Sequence, residues 1–267
     1  MDARDKPPAN DAILLRRDVD GVAWLTLNRP AARNALSVAL MGAVQDALDA
    51  VARDAAVKVV VIAANGPGFC AGHDLRELRA NPGRQHYEAV FRQCARLMTT
   101  IVRLPKPVIA RVYGIATAAG CQLVASCDLA VAANDARFAT PGVNIGLFCS
   151  TPMVALSRAV PRKAAMEMLL TGEMIGADEA QRLGLVNRVV APDNLDAAVA
   201  ELARTIASKS PLVLKIGKEA FYRQAELDLD AAYAYASDVM VTNMMARDAE
   251  EGIDAFLQKR APTWENR

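Results

Sequence analysis

Two short segments of this sequence have the composition needed to hold a reacting oxygen with backbone alone. One is Phe69-Cys70-Ala71-Gly72-His73-Asp74-Leu75, and the other runs from Gly114 to Gly120 and leads into Cys121-Gln122-Leu123. Each follows an apolar run of strand length. Small side chains let a ligand come close to the chain, and a helix start presents unpaired N–H groups at the positive end of its dipole. Two such amides aimed at one oxygen form an oxyanion hole, in which each donor contributes about 2.7–4 kcal/mol to a transition state. Taken singly, either segment also reads as a tight strand-to-helix turn.

Three side chains nearby carry chemistry of their own. An imidazole at His73 can move protons near neutral pH, or its ring can pack while only its backbone N–H matters. Cys149, in Gly146-Leu147-Phe148-Cys149-Ser150, is a thiolate nucleophile in one reading and a small buried hydrophobe in the other. Gln122 either orients a water or a polar substrate group, or simply packs a helix. Asp74 and Asp128 read as structural, tying loop amides or a helix start.

These residues need a scaffold, and the hydrophobic pattern supplies one. Two strand-like runs between Ala12 and Leu27 flank Asp20-Gly21, a hairpin signal, and the second stops at Pro30. Ser37 caps a helix reaching about Asp54, with Leu40, Val44 and Leu48 on one face. Residues 57–63, apart from Lys58, form an apolar run, as expected for a strand covered on both faces. A helix over about 85–102 follows, then strands over 108–113 and 128–133. Alternating strands and helices indicate an α/β core with parallel pairing. Beyond Pro192 the pattern turns helical, with helices over 195–208, 212–226 and 229–245. Met240, Met244 and Met245 are expected in core packing, with a subunit interface as the alternative. The domain reading is a tail over 1–11, a core over 12–200 and a helical region over 201–267.

Thirty-one Lys and Arg against 30 Asp and Glu leave no net field to draw the chain to nucleic acid or an anionic membrane. Five cysteines without metal-ligand spacing argue against a disulfide framework and a structural zinc site. No apolar run reaches the roughly 20 residues that a membrane span needs. The first eight residues are polar and include acids, so the expected compartment is the cytoplasm.

The order of these motifs resembles the enoyl-CoA hydratase/isomerase (crotonase) family at five places. They are Leu27-Asn28-Arg29-Pro30 with Asn34-Ala35-Leu36; the Phe69 to Leu75 segment; Ala118-Ala119-Gly120-Cys121-Gln122-Leu123 with Ser126-Cys127-Asp128; Phe138-Ala139-Thr140-Pro141 with Leu170-Thr171-Gly172 and the Ala177 to Val186 stretch; and Gly252-Ile253-Asp254-Ala255-Phe256 with Lys259-Arg260. The resemblance implies a spiral of ββα units followed by a helical trimerisation region, assembling as a homotrimer or homohexamer. It implies an acyl-CoA or enoyl-CoA ligand whose coenzyme A is part of the thioester, with no other cofactor and no metal. By motif, the amides of His73 and Ala119 polarise the thioester carbonyl toward an enolate. Arg33, Asn34, Ala35 and Leu36, together with Ala71, Gly72, His73, Asp74 and Leu75, are expected along the nucleotide and pantetheine path. Pro141 and Gly142 stand at the acyl end, while Phe256, Lys259 and Arg260 match a C-terminal signature that meets CoA.

The sequence departs from the family at the two positions that hydration uses. Gln122 stands where the first glutamate is expected, and Gly142 where the second is. Glutamine orients water but accepts no proton at neutral pH, and glycine offers no side chain. The resemblance therefore implies either an enzyme that relies on oxyanion stabilisation or a non-catalytic acyl-CoA binder. Nucleic-acid binding has no basic patch to support it.

Overall fold

The computed structural model describes residues 12–267; the expected N-terminal tail over 1–11 lies outside the described residues. Its elements in chain order are β1 (Leu14–Val19), β2 (Val22–Leu27), α1 (Val38–Arg53), β3 (Val59–Ala64), α2 (Leu75–Ala80), α3 (Arg84–Arg103), β4 (Val108–Val112), β5 (Ile115–Thr117), α4 (Ala119–Ser126), β6 (Leu129–Ala133), β7 (Arg137–Ala139), α5 (Pro152–Ala159), α6 (Arg162–Thr171), β8 (Ile175–Gly176), α7 (Ala177–Arg182), β9 (Arg188–Val190), α8 (Leu195–Ala207), α9 (Pro211–Gln224), α10 (Leu229–Met244) and α11 (Arg247–Leu257).

Six strands form the main sheet in the order β1-β2-β3-β4-β6-β9, parallel except for the β1–β2 hairpin. Asp20 and Gly21 both take positive φ, the geometry that a two-residue hairpin requires. A smaller sheet, β5-β7-β8, lies beside it, and isolated bridges Cys70–Ala116 and Leu36–His73 extend its edge. Each turn of the chain thus contributes a long strand to one sheet, a short one to the other, and then a helix. This is the ββα spiral anticipated from the sequence.

The uninterrupted apolar run of β3 is buried along its whole length, because its two faces meet different partners. Val59 and Val61 face Leu195, Val199 and Ala203 of α8, whereas Val60 and Ile62 join the larger core with α1 and α3. α8 runs across residue 200 and covers one face of the main sheet, so it packs with the strands rather than with the helices after it.

Past α8 the packing changes character. Over whole residues none of α9 or α10 is buried, although the Lys218 side chain is only 7% exposed. Met240, Met244 and Met245 are exposed, which corrects the core-packing expectation, and Tyr233, Phe256 and Leu257 are exposed as well. Helical periodicity gives an apolar face but does not say whether this chain or another covers it.

The tie that holds α9 to the core is polar. Lys218 Nζ donates to Asp128 Oδ2 at 2.7 Å and to the carbonyls of Ile101 and Lys106, and Tyr222 donates to Asp128 Oδ1 at 2.9 Å. Asp128 also accepts from the Val108 amide at 2.7 Å, which fixes the start of β4. Removing one partner of a buried pair leaves the other charge unmatched. Asp128→Asn is expected to destabilise the fold by about 3–5 kcal/mol, seen as a lower urea midpoint. A midpoint equal to wild type would mean that this pair does not hold α9.

Candidate active site

The two small-residue segments meet because glycine stands where they cross. A Cβ on Gly72 would lie 2.9 Å from Ala118 Cβ, 3.0 Å from the Thr117 carbonyl oxygen and 3.4 Å from the Ala119 nitrogen. A Cβ on Gly120 would lie 2.1 Å from the Cys70 carbonyl oxygen. Any larger residue would separate the segments. Glycine at 72 is required twice over, because its φ of +95° is also one that L side chains rarely adopt.

The amides at this crossing are left unpaired by the way each segment is bonded. Leu36 donates to the Gly72 carbonyl at 2.7 Å, and the Asp74 amide donates to the Leu36 carbonyl at 3.2 Å. In a parallel bridge the residue between those contacts turns its own N–H to the opposite side. That residue is His73. Ala119 is the first residue of α4, where the amide has no partner within the helix. Before it, Ala118 takes φ 51° and ψ −117°, a conformation that costs a non-glycine residue roughly 1–3 kcal/mol. The Ala118 amide is bonded to the Ala139 carbonyl at 2.9 Å, which keeps this turn against β7.

Supporting contacts are specific. Arg29 donates to the Ala35 carbonyl and to Asp74 Oδ2 at 2.9 Å, clamping the 33–36 turn to the 71–75 segment. The guanidinium holds the Asp74 carboxyl below the usual carboxylate range, and Asp74 also caps α2 by accepting the Glu77 amide. Asn34 is fully buried; it accepts from the Arg29 amide and donates to the Asn65 and Gly68 carbonyls.

The structure separates the expected ligand-path residues into groups. Arg33, Ala35, Asp74 and Leu75 line a surface groove of about 640 Å³ that also holds Arg29 and Arg76. Ala71, Gly72, His73 and Ala119 gather at the crossing. Asn34 and Leu36 are buried in the turn that backs this groove. Phe256 and Lys259 are exposed on and just after α11, which packs on α9 and α10, so one chain does not bring them to the site. Arg260 is paired with Glu251 at 2.6 Å.

The side chains with chemical potential are uncharged here. His73 stacks edge-on against Phe91, with centroids 5.3 Å apart. Neither ring nitrogen meets full hydrogen-bond geometry, and burial lowers the imidazole pKa, opposed by the nearby Leu36 backbone and by Glu77. Gln122 is buried, its Oε1 facing Cys94 Sγ at 3.9 Å. Burial pushes the Cys94 and Cys121 thiols up to about 12 and raises that of Cys149, so all three remain neutral thiols. Pro141 opens a 3-10 turn (Pro141–Ile145) in which a Cβ on Gly142 would meet the Leu147 carbonyl oxygen at 2.6 Å and Cys149 Sγ at 2.9 Å. The second acid is therefore absent, and the neighbouring loop fills its place. Arg29, Phe91, Cys94 and the Leu147 carbonyl were not singled out as functional from the sequence. Only Arg29 had a local signal, its Asn-Arg-Pro setting.

Residues 17–267 match the enoyl-CoA hydratase/isomerase family model. The chain belongs to the enoyl-CoA hydratase/isomerase family. The pairing of Gln122 with Gly142 resembles the branch called enoyl-CoA hydratase domain-containing protein 3, and the relatives agree. The human mitochondrial protein of that name is 52% identical, over 93% of this chain and 82% of its own length. A human crystal structure of that protein has TM-score 0.92 and 50% identity, covering 95% of this chain and 100% of that one. An enoyl-CoA hydratase structure from Mycobacterium smegmatis has TM-score 0.93 and 57% identity, covering 95% and 99%. The relatives sharing the branch name are called mitochondrial, which corrects the cytoplasmic expectation; a few polar residues at one end do not decide a compartment. Among the described residues no helix is long and apolar enough to cross a membrane, and no cluster of acidic, His and Cys side chains could hold a metal.

Two outcomes check this geometry. Gly142→Ala is expected to cost about 1–3 kcal/mol by overpacking, measured by chemical denaturation; no cost would show that the Leu147 to Cys149 loop yields freely. His73 is held neutral in the fold, so the unfolded chain binds its proton more readily. Its contribution to stability is complete above the ordinary imidazole value of 6.5 and is lost as pH falls from there toward the lowered folded value. The stability of wild type relative to His73→Phe should therefore fall between about pH 7.5 and 5.5, and a flat difference would contradict the burial of the ring.

Proposed function

We propose that this protein is an acyl-CoA thioester-binding enzyme in which the backbone amides of His73 and Ala119 form an oxyanion hole for a thioester enolate. One observation carries the reading. Gly72 brings two differently bonded backbone segments into contact, and each leaves one N–H unpaired where they cross. Donors fixed by strain and packing need no reorganisation as charge develops on the oxygen, which is why such amides favour a transition state over a ground state. The family and the groove, where Arg33 and Arg76 stand beside the Arg29–Asp74 pair, support a CoA thioester as the ligand; Arg33 and Arg76 suit its phosphates.

Two-glutamate hydration does not fit these residues. A carboxylate at 122 is replaced by a carboxamide, and a side chain at 142 would collide with the Leu147 carbonyl. The reaction then rests on stabilising charge on the thioester oxygen, as an enolate in double-bond isomerisation or as the tetrahedral oxyanion in thioester cleavage. The exposed apolar residues of α10 and α11 support a homotrimer or homohexamer, in which Phe256 and Lys259 could reach a neighbour's CoA.

A second reading, a non-catalytic acyl-CoA binder, draws on the same filled space at Gly142. The two part on turnover. Ala119→Pro deletes one amide hydrogen and is expected to lower turnover of an active acyl-CoA about 10²–10³-fold, with thermal melting confirming that the variant folds. Unchanged turnover in a folded variant would sink the oxyanion hole. Tight binding without turnover across a chain-length panel would favour the binder.

A further inference from the structure

Arg29 stands at the rim of the groove, where a cation is expected to grip a phosphate, yet both arms of its guanidinium are turned onto the protein. Nη1 donates to the Ala35 carbonyl, and Nη2 donates to Asp74 Oδ2 at 2.9 Å. The residue carrying this fork is itself fixed. Its amide donates to Asn34 Oδ1 at 2.8 Å, and its carbonyl accepts the Asn34 amide at 3.0 Å. Asp74 is held too, because its Oδ1 accepts the Glu77 amide at 3.3 Å.

The arm on Ala35 reaches further than the ion pair does. In a trans peptide the C=O and N–H point to opposite sides, and no cis bond occurs among the described residues. The Ala35 carbonyl shares its peptide plane with the Leu36 N–H, which donates to the Gly72 carbonyl at 2.7 Å, the short end of the usual range. The Gly72 carbonyl in turn shares its plane with the His73 N–H. The guanidinium, the Ala35–Leu36 peptide and the Gly72–His73 peptide therefore form a head-to-tail chain that ends on the oxyanion donor. A charged donor at its start polarises each peptide after it, and bonds in such a chain strengthen one another by about 10–30% each.

We infer that Arg29 is a positioning residue that aims and polarises the His73 N–H through two peptide groups. Asp74 holds the second arm and so keeps the fork on Ala35. Arg29 touches no reacting atom; its influence arrives through the backbone, and Arg33 and Arg76 on the same groove are left to meet phosphate.

The inference deepens the oxyanion reading and rests on it, and one experiment separates the two. Butyryl-CoA, isotopically labelled at the thioester carbonyl carbon, is bound to the full chain. Its carbonyl stretch is read by isotope-edited infrared spectroscopy and its affinity by calorimetry. In wild type the band should move to lower wavenumber than in free butyryl-CoA. Arg29→Gln should lose about a quarter or more of that displacement, while affinity stays within about threefold of wild type. Arg29→Lys, which keeps a charged donor without the planar fork, should recover part of the loss. Full displacement in a folded Arg29→Gln variant, whether or not affinity falls, overturns the inference and leaves the oxyanion hole standing. A second arm needs no variant to fold: hydrogen exchange of the Leu36 amide in the free wild-type chain should be slow, and rapid exchange there breaks the chain of peptides and overturns the inference. An undisplaced band in wild type, or no binding of butyryl-CoA, sinks the oxyanion reading itself, and this inference falls with it.

Discussion

Backbone-to-backbone approach at Gly72 is the constraint on which the site depends. With no Cβ at that position, the segment after β3 lies directly against the start of α4. The same device recurs at Gly120 against Cys70 and at Gly114 against Pro67, where a Cβ would fall within 3 Å of a carbonyl oxygen. Together these contacts stack successive turns of the spiral at a spacing that side chains could not reach. The strain at Ala118 is tolerated because its amide is bonded to β7 on one side and its carbonyl accepts the Gln122 amide on the other. Packing here sets the direction of an N–H bond, and that direction is what the chemistry would use.

Among the described residues the interior around the crossing contains no free charge, and this follows from where the ion pairs sit. Arg29 and Asp74 neutralise each other at the rim, while Asp128 and Lys218 do so beneath α9. What remains beside the amides is a neutral imidazole, a carboxamide and neutral thiols. In such surroundings peptide dipoles act with little screening. A site of this kind is suited to stabilising charge on a substrate oxygen and poorly suited to activating water by a strong base.

Much of this was legible in the sequence wherever local rules act alone. Asp20-Gly21 set a hairpin; Ser37 accepts the Leu40 amide as a helix cap should; the apolar run of β3 gave a strand buried on both faces. The short strands β7, β8 and β9 were not found, because two or three residues show no periodicity and their pairing is decided by the turns before them. Asn34 was expected along the ligand path, and its side-chain amide joins the 29–34 turn to the 65–68 loop, a use that only tertiary structure reveals. The methionines of α10 failed for the converse reason: an apolar stripe names a buried face but not what buries it. Motif matching fixed the family and the crossing, while physical reading of Gln122 and Gly142 limited what the family label can mean.

The filled space at Gly142 also limits what redesign can do there. With the Leu147 carbonyl and the Cys149 thiol lying against a bare Cα, an acidic side chain cannot be introduced by a point substitution that leaves the loop where it is. Withdrawing the loop beside glycine would leave a void, which carries a cost of its own. Backbone and side chain at this corner would have to change together, while the amides at the crossing could stay as they are.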